Sequence, residues 1–184
     1  HMMSSGDSQH TWQDTIDAIG QDFSCGEIQI ADETISYTDV VRFCEPWEIG
    51  NPIYWNESAA KEAGYRGVVV PWSAVKQTFS YTGFWRPGLP TEFPTADIHA
   101  ATRYPNMAPQ GKEIPKPMTA AGIFTNMEIE FFEPVCVGDR ITVKGNKLVG
   151  VRPRKTSIGE GAFVNRENEF YNQRGELVAR AIQG

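Results

Sequence analysis

The chain has 184 residues, of which 40% are hydrophobic and 22% are charged, a composition typical of one soluble globular domain with a core of its own. Its net charge of −6 at pH 7 argues against nucleic acid as a partner, because phosphate binding requires a clustered positive field. No apolar run approaches the ~20 residues that cross a bilayer, and no basic segment followed by an apolar one marks a secretion signal. We therefore expect a cytoplasmic protein with no membrane partner.

The cysteines and histidines predict neither a disulfide nor a metal site. Cys25, Cys44 and Cys136 are odd in number, widely spaced and never arranged as C-x-x-C, which indicates free thiols in a reducing compartment. Apart from His1, the histidines are His10 and His99, and neither has a second ligand type at metal-binding spacing. We expect no metal.

The N-terminal segment is polar, and His1-Met2 resembles a cloning scar. Residues 1–11 are therefore predicted to be a tag remnant and a disordered terminus, and residues 12–184 a single domain. Within that domain, residues 85–121 contain seven prolines and hold no period for long. This composition predicts a long irregular insertion that is functional or partly disordered, and too poor in core residues to be a second domain.

The first elements of the domain alternate between helical and strand periods. Residues 12–19 have apolar side chains at helical spacing and predict a short amphipathic helix. Residues 27–30 alternate and predict a strand. A second helix is predicted to begin at Thr38 or Asp39, either of which can cap it, and to end before Pro46.

Two further helices follow. Asn56 can cap a helix over residues 57–62, which Gly64 terminates. Pro71 suits the first turn of another helix. Apolar residues follow on one side of that helix, namely Trp72, Val75, Phe79 and Gly83. The sequence therefore predicts that this last helix is buried at the centre of the domain.

The C-terminal third changes to the period of two that is typical of strands. Four strands are predicted, over residues 127–131, 141–151, 162–171 and 177–182. Gly138-Asp139 and residues 173–176 provide turns between them. Long antiparallel strands after a central helix predict an α+β fold, in which a curved antiparallel sheet wraps around that helix.

Four stretches of this chain resemble a known family when they are taken in order. They are NPIYWNESAAKEAGYRGVVVPWSAV, FTNMEIEFFEPVCVGDRITVKG, IGEGAFVNRENEFYN and RGELVARA. Together, over about residues 35–181, they resemble the MaoC-like hot dog fold of (R)-specific enoyl-CoA hydratases and dehydratases. The resemblance is closest to the N-terminal, non-catalytic type of MaoC domain. VGVRPRKTSIGEGAFVN is similar to the MaoC domain in the larger subunit of two-subunit steroid side-chain enoyl-CoA hydratases.

The resemblance implies that this chain lacks catalytic residues of its own. Active members carry an Asp two residues before the motif Asn, here Asn51, and a His three residues after it. Those positions are Ile49, which cannot titrate, and Tyr54, whose ordinary pKa of about 10 makes it a poor base at pH 7. Active members also polarise the thioester carbonyl with a glycine N–H at the start of the central helix. Pro71-Trp72 stands there, and proline has no N–H.

The resemblance also implies a role and a partner. The chain is expected to shape the acyl pocket of a heteromeric (R)-specific 2-enoyl-CoA hydratase, in a heterodimer or heterotetramer with a smaller catalytic hot dog subunit. A coenzyme A thioester with a bulky acyl group, such as a steroid side chain, is the expected substrate, and no cofactor is expected. Two alternatives stay open: a homodimeric acyl-CoA-binding module without turnover, and a chain that is active alone through Glu48 or Tyr54.

Residues expected to contact the acyl-CoA come from several parts of the chain. They are Asn51, Tyr54, Trp72, Trp85, Arg152, Arg154, Lys155, Gly159 and Gly161. The basic cluster at 152–155 is interpreted either as a phosphate contact or as a solvated turn between strands. Gly159-Glu160-Gly161 is interpreted first as a bulge that bends a strand, with a contact to the pantetheine arm as the alternative. Packing and loop-stabilising roles compete with substrate contact for Asn51, Tyr54 and the two tryptophans.

Overall fold

The structure, a computed structural model, describes residues 9–77, 80, 87–88, 95–97, 111–119, 122–157 and 159–184. Within these ranges the helices are α1 (Trp12–Asp17), α2 (Tyr37–Cys44), α3 (Glu57–Glu62) and α4 (Trp72–Gln77). The strands are β1 (Ile28–Ile30), β2 (Met127–Phe131), β3 (Thr142–Thr156), β4 (Gly159–Tyr171) and β5 (Leu177–Gln183). Two single 3₁₀ turns, Glu45–Trp47 and Pro52–Tyr54, lie between α2 and α3.

The strands form one antiparallel sheet in the order β1-β3-β4-β5-β2. β3 and β4 form its long centre and pair from Thr142 opposite Tyr171 to Thr156 opposite Gly159. β2 lies at one edge, with Met127 opposite Gln183. The predicted α+β architecture, a curved antiparallel sheet around a helix, is confirmed.

The main core lies between α4 and the sheet. Ala74 and Val75 of α4 are buried in one apolar cluster with Val143 of β3 and Phe170 of β4. Ala74 donates its N–H to the Pro71 carbonyl at 2.9 Å, so the helix starts directly after this proline, as predicted. Phe79 and Gly83, which were predicted to continue the apolar side of this helix, lie outside the described residues.

The helix ends confirm two of the predicted caps and correct a third. Asn56 Oδ1 accepts the Ala59 N–H at 2.9 Å, and Gly64 follows the end of α3 with a φ of 94°. α2, however, is capped by Ser36 and not by Thr38 or Asp39. The Ser36 hydroxyl accepts the Asp39 N–H at 3.1 Å and donates to the Asp39 carboxylate at 2.7 Å, so Asp39 completes a cap that begins three residues earlier.

A second, smaller core lies beneath α1. Phe23 and Leu148 are buried there, and Ile114 packs against them. The N–H groups of Gly111 and Lys112 donate to the Phe23 carbonyl at 3.1 and 3.0 Å. Residues 111–115 of the predicted insertion are therefore anchored to the body of the domain. Most of residues 85–121 and residues 1–8 lie outside the described ranges, so the predicted domain boundaries stay predictions.

The central strands differ from the sequence prediction in two respects. The basic cluster Arg152–Lys155 lies within β3 and not in a turn, because cross-strand pairing with β4 continues as far as Thr156. The interpretation of Gly159-Glu160-Gly161 as a bulge is wrong, since these residues pair in regular register with Thr156, Lys155 and Arg154. The positive φ of Gly159, 134°, serves the turn from β3 into β4.

The register shifts between β3 and β4 occur on β3, between Lys144 and Lys147 and between Leu148 and Gly150. At the first of them, Gly145 has a φ of 79°, and its carbonyl accepts a hydrogen bond from the Asn168 amide at 2.6 Å. The Asn146 N–H donates to the Asp22 carboxylate at 2.9 Å. Side chains therefore form hydrogen bonds with the Gly145 carbonyl and the Asn146 N–H, which the bulge removes from the pairing between β3 and β4. The strand can bend at this point.

Candidate functional site

The loop between α2 and α3 is shaped by its backbone hydrogen bonds. The Glu48 N–H donates to the Glu45 carbonyl at 3.1 Å, and the Ile49 N–H donates to the Cys44 carbonyl at 3.2 Å. This is the Schellman pattern, in which the residue at Glu48 takes a left-handed conformation, here with a φ of 50°. Asn51 Oδ1 then accepts the Ile53 N–H at 3.2 Å. Asn51 thus stabilises its own loop, and its contact with substrate stays a prediction.

Ile49 and Tyr54 both pack against the main core. Burial raises the pKa of the Tyr54 hydroxyl, and the nearby Tyr65 and Cys44 raise it further. The hydroxyl therefore stays neutral at pH 7, and even less of it is ionised to phenolate than in free tyrosine. Neither position offers a group that can activate water near neutral pH.

The backbone N–H groups just before α4 are already used in hydrogen bonds within the fold. The Val69 N–H donates to the Ile53 carbonyl at 3.0 Å, and the Val70 N–H donates to the Val135 carbonyl at 2.8 Å. Pro71 has no N–H, and the Trp72 ring packs against Phe131 with centroids 4.8 Å apart. The backbone N–H groups that precede the helix are thus engaged in holding it in place.

A cavity of about 300 Å³ lies beside Ile49. It is lined by Val41, Cys44, Glu45, Glu48, Ile49, Gly50 and Trp55. Burial raises the pKa of the Cys44 thiol, so the thiol is protonated at neutral pH. Glu45 and Glu48 are exposed. Of the two positions that correspond to the acid–base pair of active members, Ile49 lines this cavity and Tyr54 does not. The left-handed Glu48 that shapes it has no sequence signal, since Gly is the usual residue at such a position.

The predicted phosphate-binding residues lie in the last third of β3, where their cross-strand partners are on β4. The Arg152 guanidinium lies over the Phe163 ring, 5.7 Å from its centroid, and Lys155 Nζ is 3.3 Å from the Glu160 carboxylate. Arg154 is eleven residues beyond core residue Val143 on β3, a contour length of about 36 Å at ~3.3 Å per residue. Trp85 lies outside the described residues, and the contact of these residues with substrate stays a prediction.

A buried ionic network lies at the turn that precedes β3. Asp139 is 1% exposed and accepts hydrogen bonds from Arg66 at 2.9 Å, Gln173 at 2.8 Å and the Cys136 N–H at 2.9 Å. The Arg174 guanidinium lies 3.4 Å away. Burial favours the protonated acid, but these donors outweigh it and keep the pKa of Asp139 below its ordinary value. Every one of these contacts joins turns of the fold to one another.

The described part of the chain has neither a disulfide nor a metal-binding cluster. The three cysteines are free there, as predicted, and no group of His, Cys, Asp and Glu side chains is arranged to hold a metal ion. Among the same residues, no helix is both long enough and apolar enough to cross a membrane.

Known proteins match almost the whole chain. Residues 18–181 match the family described as FAS1-like, dehydratase domain region. The chain is 28% identical, over 160 residues and 84% of its length, to a probable enoyl-CoA hydratase alpha subunit of Thermomonospora curvata. It spans about half the length of that relative, 45%.

Solved structures show the same fold. In the ChsH1-ChsH2 complex from Mycobacterium tuberculosis, one chain is similar with a TM-score of 0.66 at 20% identity, over 94% of this chain and 92% of that one. A MaoC-like dehydratase from Rhodospirillum rubrum is similar with a TM-score of 0.51 at 17% identity, over 86% and 88% of the two chains. The resemblance to MaoC-like hot dog proteins is therefore confirmed, and this chain belongs to the family described as FAS1-like, dehydratase domain region.

Proposed function

We propose that this chain is the non-catalytic subunit of a heteromeric (R)-specific 2-enoyl-CoA hydratase. The observation that carries the proposal is the loop at Ile49 and Tyr54, where both side chains pack against the core and neither is a base at pH 7. In hydration, a base takes a proton from water as its oxygen bonds to the β carbon, and an acid delivers a proton to the α carbon. A smaller catalytic subunit therefore supplies the Asp and the His.

The role of this chain is to shape the acyl pocket. The apolar side chains that line the cavity, among them Val41, Ile49 and Trp55, suit an acyl chain better than a charged group. The exposed Arg152, Arg154 and Lys155 suit the phosphates of a coenzyme A that crosses from one subunit to the other. The substrate class that we propose is a thioester with a bulky, ring-containing acyl group, such as a steroid side chain, and no cofactor takes part.

The proposed partner binds at the β2 edge of the sheet. β2 is the last strand in the sheet order, so one side of its backbone has no neighbouring strand among the described residues. Exposed apolar side chains adjoin it, with Ile123 75%, Phe124 60% and Phe132 41% exposed. An exposed strand edge with large apolar neighbours is typical of an interface. The similarity to a chain from a two-protein complex supports a partner of this kind.

A hydratase assay tests the proposal directly. The absorbance of the enoyl thioester is followed with crotonyl-CoA and with a steroid side-chain enoyl-CoA, using this chain, a small hot dog protein with the intact Asp and His, and their mixture. We expect turnover of the bulky substrate only in the mixture. Turnover by this chain alone would overturn the proposal and favour Glu48 or Tyr54 as catalytic groups. No turnover in the mixture, together with tight acyl-CoA binding by this chain alone, would favour the homodimeric binding module.

A further inference from the structure

The backbone of β2 is arranged for antiparallel pairing at its free side. The Phe132 N–H donates to the Val178 carbonyl, and the Gly184 N–H donates to the Asn126 carbonyl, each at 3.0 Å. Alternate residues of an antiparallel strand bond to the same neighbour. The backbone groups of Met127, Ile129 and Phe131 therefore point away from β5, toward whatever strand lies beside this edge.

Two carboxylates lie on the exposed face of this edge. Glu128 and Glu130 alternate with the half-buried Met127 and Ile129, so both point to the solvent face. Arg180 is 3.7 Å from Glu130 and 3.5 Å from Glu169, so one guanidinium is shared between two carboxylates. Opposite Glu128 on β5 is Ile182, which carries no charge. The exposed face of the edge is therefore net negative.

If a second copy of this chain paired at this edge, the glutamates of the two copies would lie opposite one another and repel. In a two-fold antiparallel pairing of β2 with itself, the outward groups of Met127, Ile129 and Phe131 form the hydrogen-bonded pairs. Glu128 and Glu130 then fall in the pairs without hydrogen bonds, where Cα atoms approach to about 4.5 Å and side chains are closest. With the axis at Ile129, Glu128 faces Glu130 of the other copy twice. With the axis at Glu128 or Glu130, that glutamate faces itself.

We propose that Glu128 and Glu130 make the β2 edge reject a second copy of this chain and accept a different hot dog protein. The strand of that partner carries Lys or Arg at the two positions opposite the glutamates, because opposite charges across a pair of strands are stabilising and like charges are destabilising. The inference rests on the proposed function, since it specifies the chemistry of the catalytic partner. It makes the homodimeric alternative unfavourable on the basis of this chain's own residues.

A single substitution should convert the edge from self-rejecting to self-pairing. In Glu128→Lys, the pairing with its axis at Ile129 places each introduced lysine opposite Glu130 of the other copy. We expect the wild-type chain to sediment as a monomer at micromolar concentration in low salt. The variant should form a dimer with a dissociation constant on the order of tenfold to thirtyfold lower than that of the wild type. Glu128→Gln, which removes one charge and adds none, should lie between the two.

The salt dependence separates pairing from other effects. Raising NaCl to about 1 M shortens the screening length to about 3 Å. It should therefore raise the dissociation constant of the Glu128→Lys dimer and should not raise that of the wild type. Glu62→Lys, on the exposed surface of α3, makes the same change in net charge away from the edge and should remain monomeric. Far-ultraviolet circular dichroism checks that all variants are folded.

Two results would overturn the inference. One is a wild-type dimer as tight as that of Glu128→Lys, and the other is a Glu128→Lys chain that stays as monomeric as Glu62→Lys. Because the readout is assembly and not turnover, either result leaves the hydratase mixture assay unaffected. A failure of the proposed function would instead appear in that assay, with the oligomeric states unchanged.

Discussion

Two turns adjoin the same core but use ionisable side chains in opposite ways. Val69 links them, since its N–H donates to Ile53 of the α2–α3 loop while Val69 itself bridges to Cys136 of the turn before β3. That turn buries Asp139 with four polar partners, whereas the α2–α3 loop packs Ile49 against the core. The buried charge of Asp139 thus maintains the fold. The α2–α3 loop, where active members have catalytic groups, packs no charged side chain against the core.

The largest expected effect of a single change is on the Asp139 network. Asp139→Ala leaves the Cys136 N–H and the Gln173 amide without their acceptor and removes the counter-charge of Arg66. We expect a loss of about 3–5 kcal/mol in the free energy of unfolding. Urea unfolding followed by tryptophan fluorescence measures it. Glu57→Gln, which breaks only an exposed pair with Lys61, serves as the control and should unfold like the wild type.

The same network predicts a pH dependence with a definite sign. The pKa of Asp139 is lowered in the folded state, so its contribution to stability is fully present above the ordinary value of about 3.8. It is lost as the pH falls through the lower folded pKa. The urea midpoint of the wild type should therefore drop more steeply below pH 4 than that of Asp139→Asn. Parallel curves for the two proteins would show that Asp139 is not the group responsible.

Reinstalling the missing pair should cost stability without creating an enzyme. Ile49→Asp with Tyr54→His places two ionisable groups where apolar surface now packs against the core. We expect a loss of about 2–3 kcal/mol in the free energy of unfolding. We also expect no hydratase turnover by the isolated variant, because Pro71 still provides no N–H for the thioester oxygen. Turnover above the wild-type background would mean that the two loop residues alone, and not Pro71, prevent this chain from catalysing hydration.

The smallest expected effect concerns the shape of the loop. Glu48 has a φ of 50°, a conformation that side chains with a Cβ adopt at a cost. Glu48→Gly should raise the free energy of unfolding by about 0.5–1 kcal/mol. Glu48→Ala removes the carboxylate but keeps the Cβ, so it should give no gain. If both variants stabilise the protein equally, the charge and not the backbone conformation is responsible.

Elements with local signals could be predicted from the sequence. Asn56 and Gly64 bound α3, and Pro71 precedes α4, because caps and breakers act within a few residues. The extension of β3 through Arg152–Lys155 had no such signal, since it depends on partners in β4, among them Glu160 and Phe163. The cap of α2 had a signal in the Ser36 to Asp39 spacing, and the nearer polar residues obscured it.

The candidate site was predictable in its chemistry but not in its shape. The family motif specifies residues by spacing from Asn51, and it therefore predicts that Ile49 and Tyr54 stand where active members carry catalytic groups. The cavity beside Ile49 depends on the left-handed backbone of Glu48, a residue type that does not indicate such a turn. The position of the basic residues within a paired strand required the full register of β3 and β4.

The isolated wild-type protein is the sharpest test of whether this chain has a catalytic acid or base of its own. Hydration of crotonyl-CoA and of a steroid side-chain enoyl-CoA is followed at the enoyl-thioester absorbance across pH 6–9, with Tyr54→Phe and Glu48→Gln beside it. We expect a rate no greater than the uncatalysed one for all three proteins at every pH. Turnover by the wild type that either substitution abolishes would contradict this expectation.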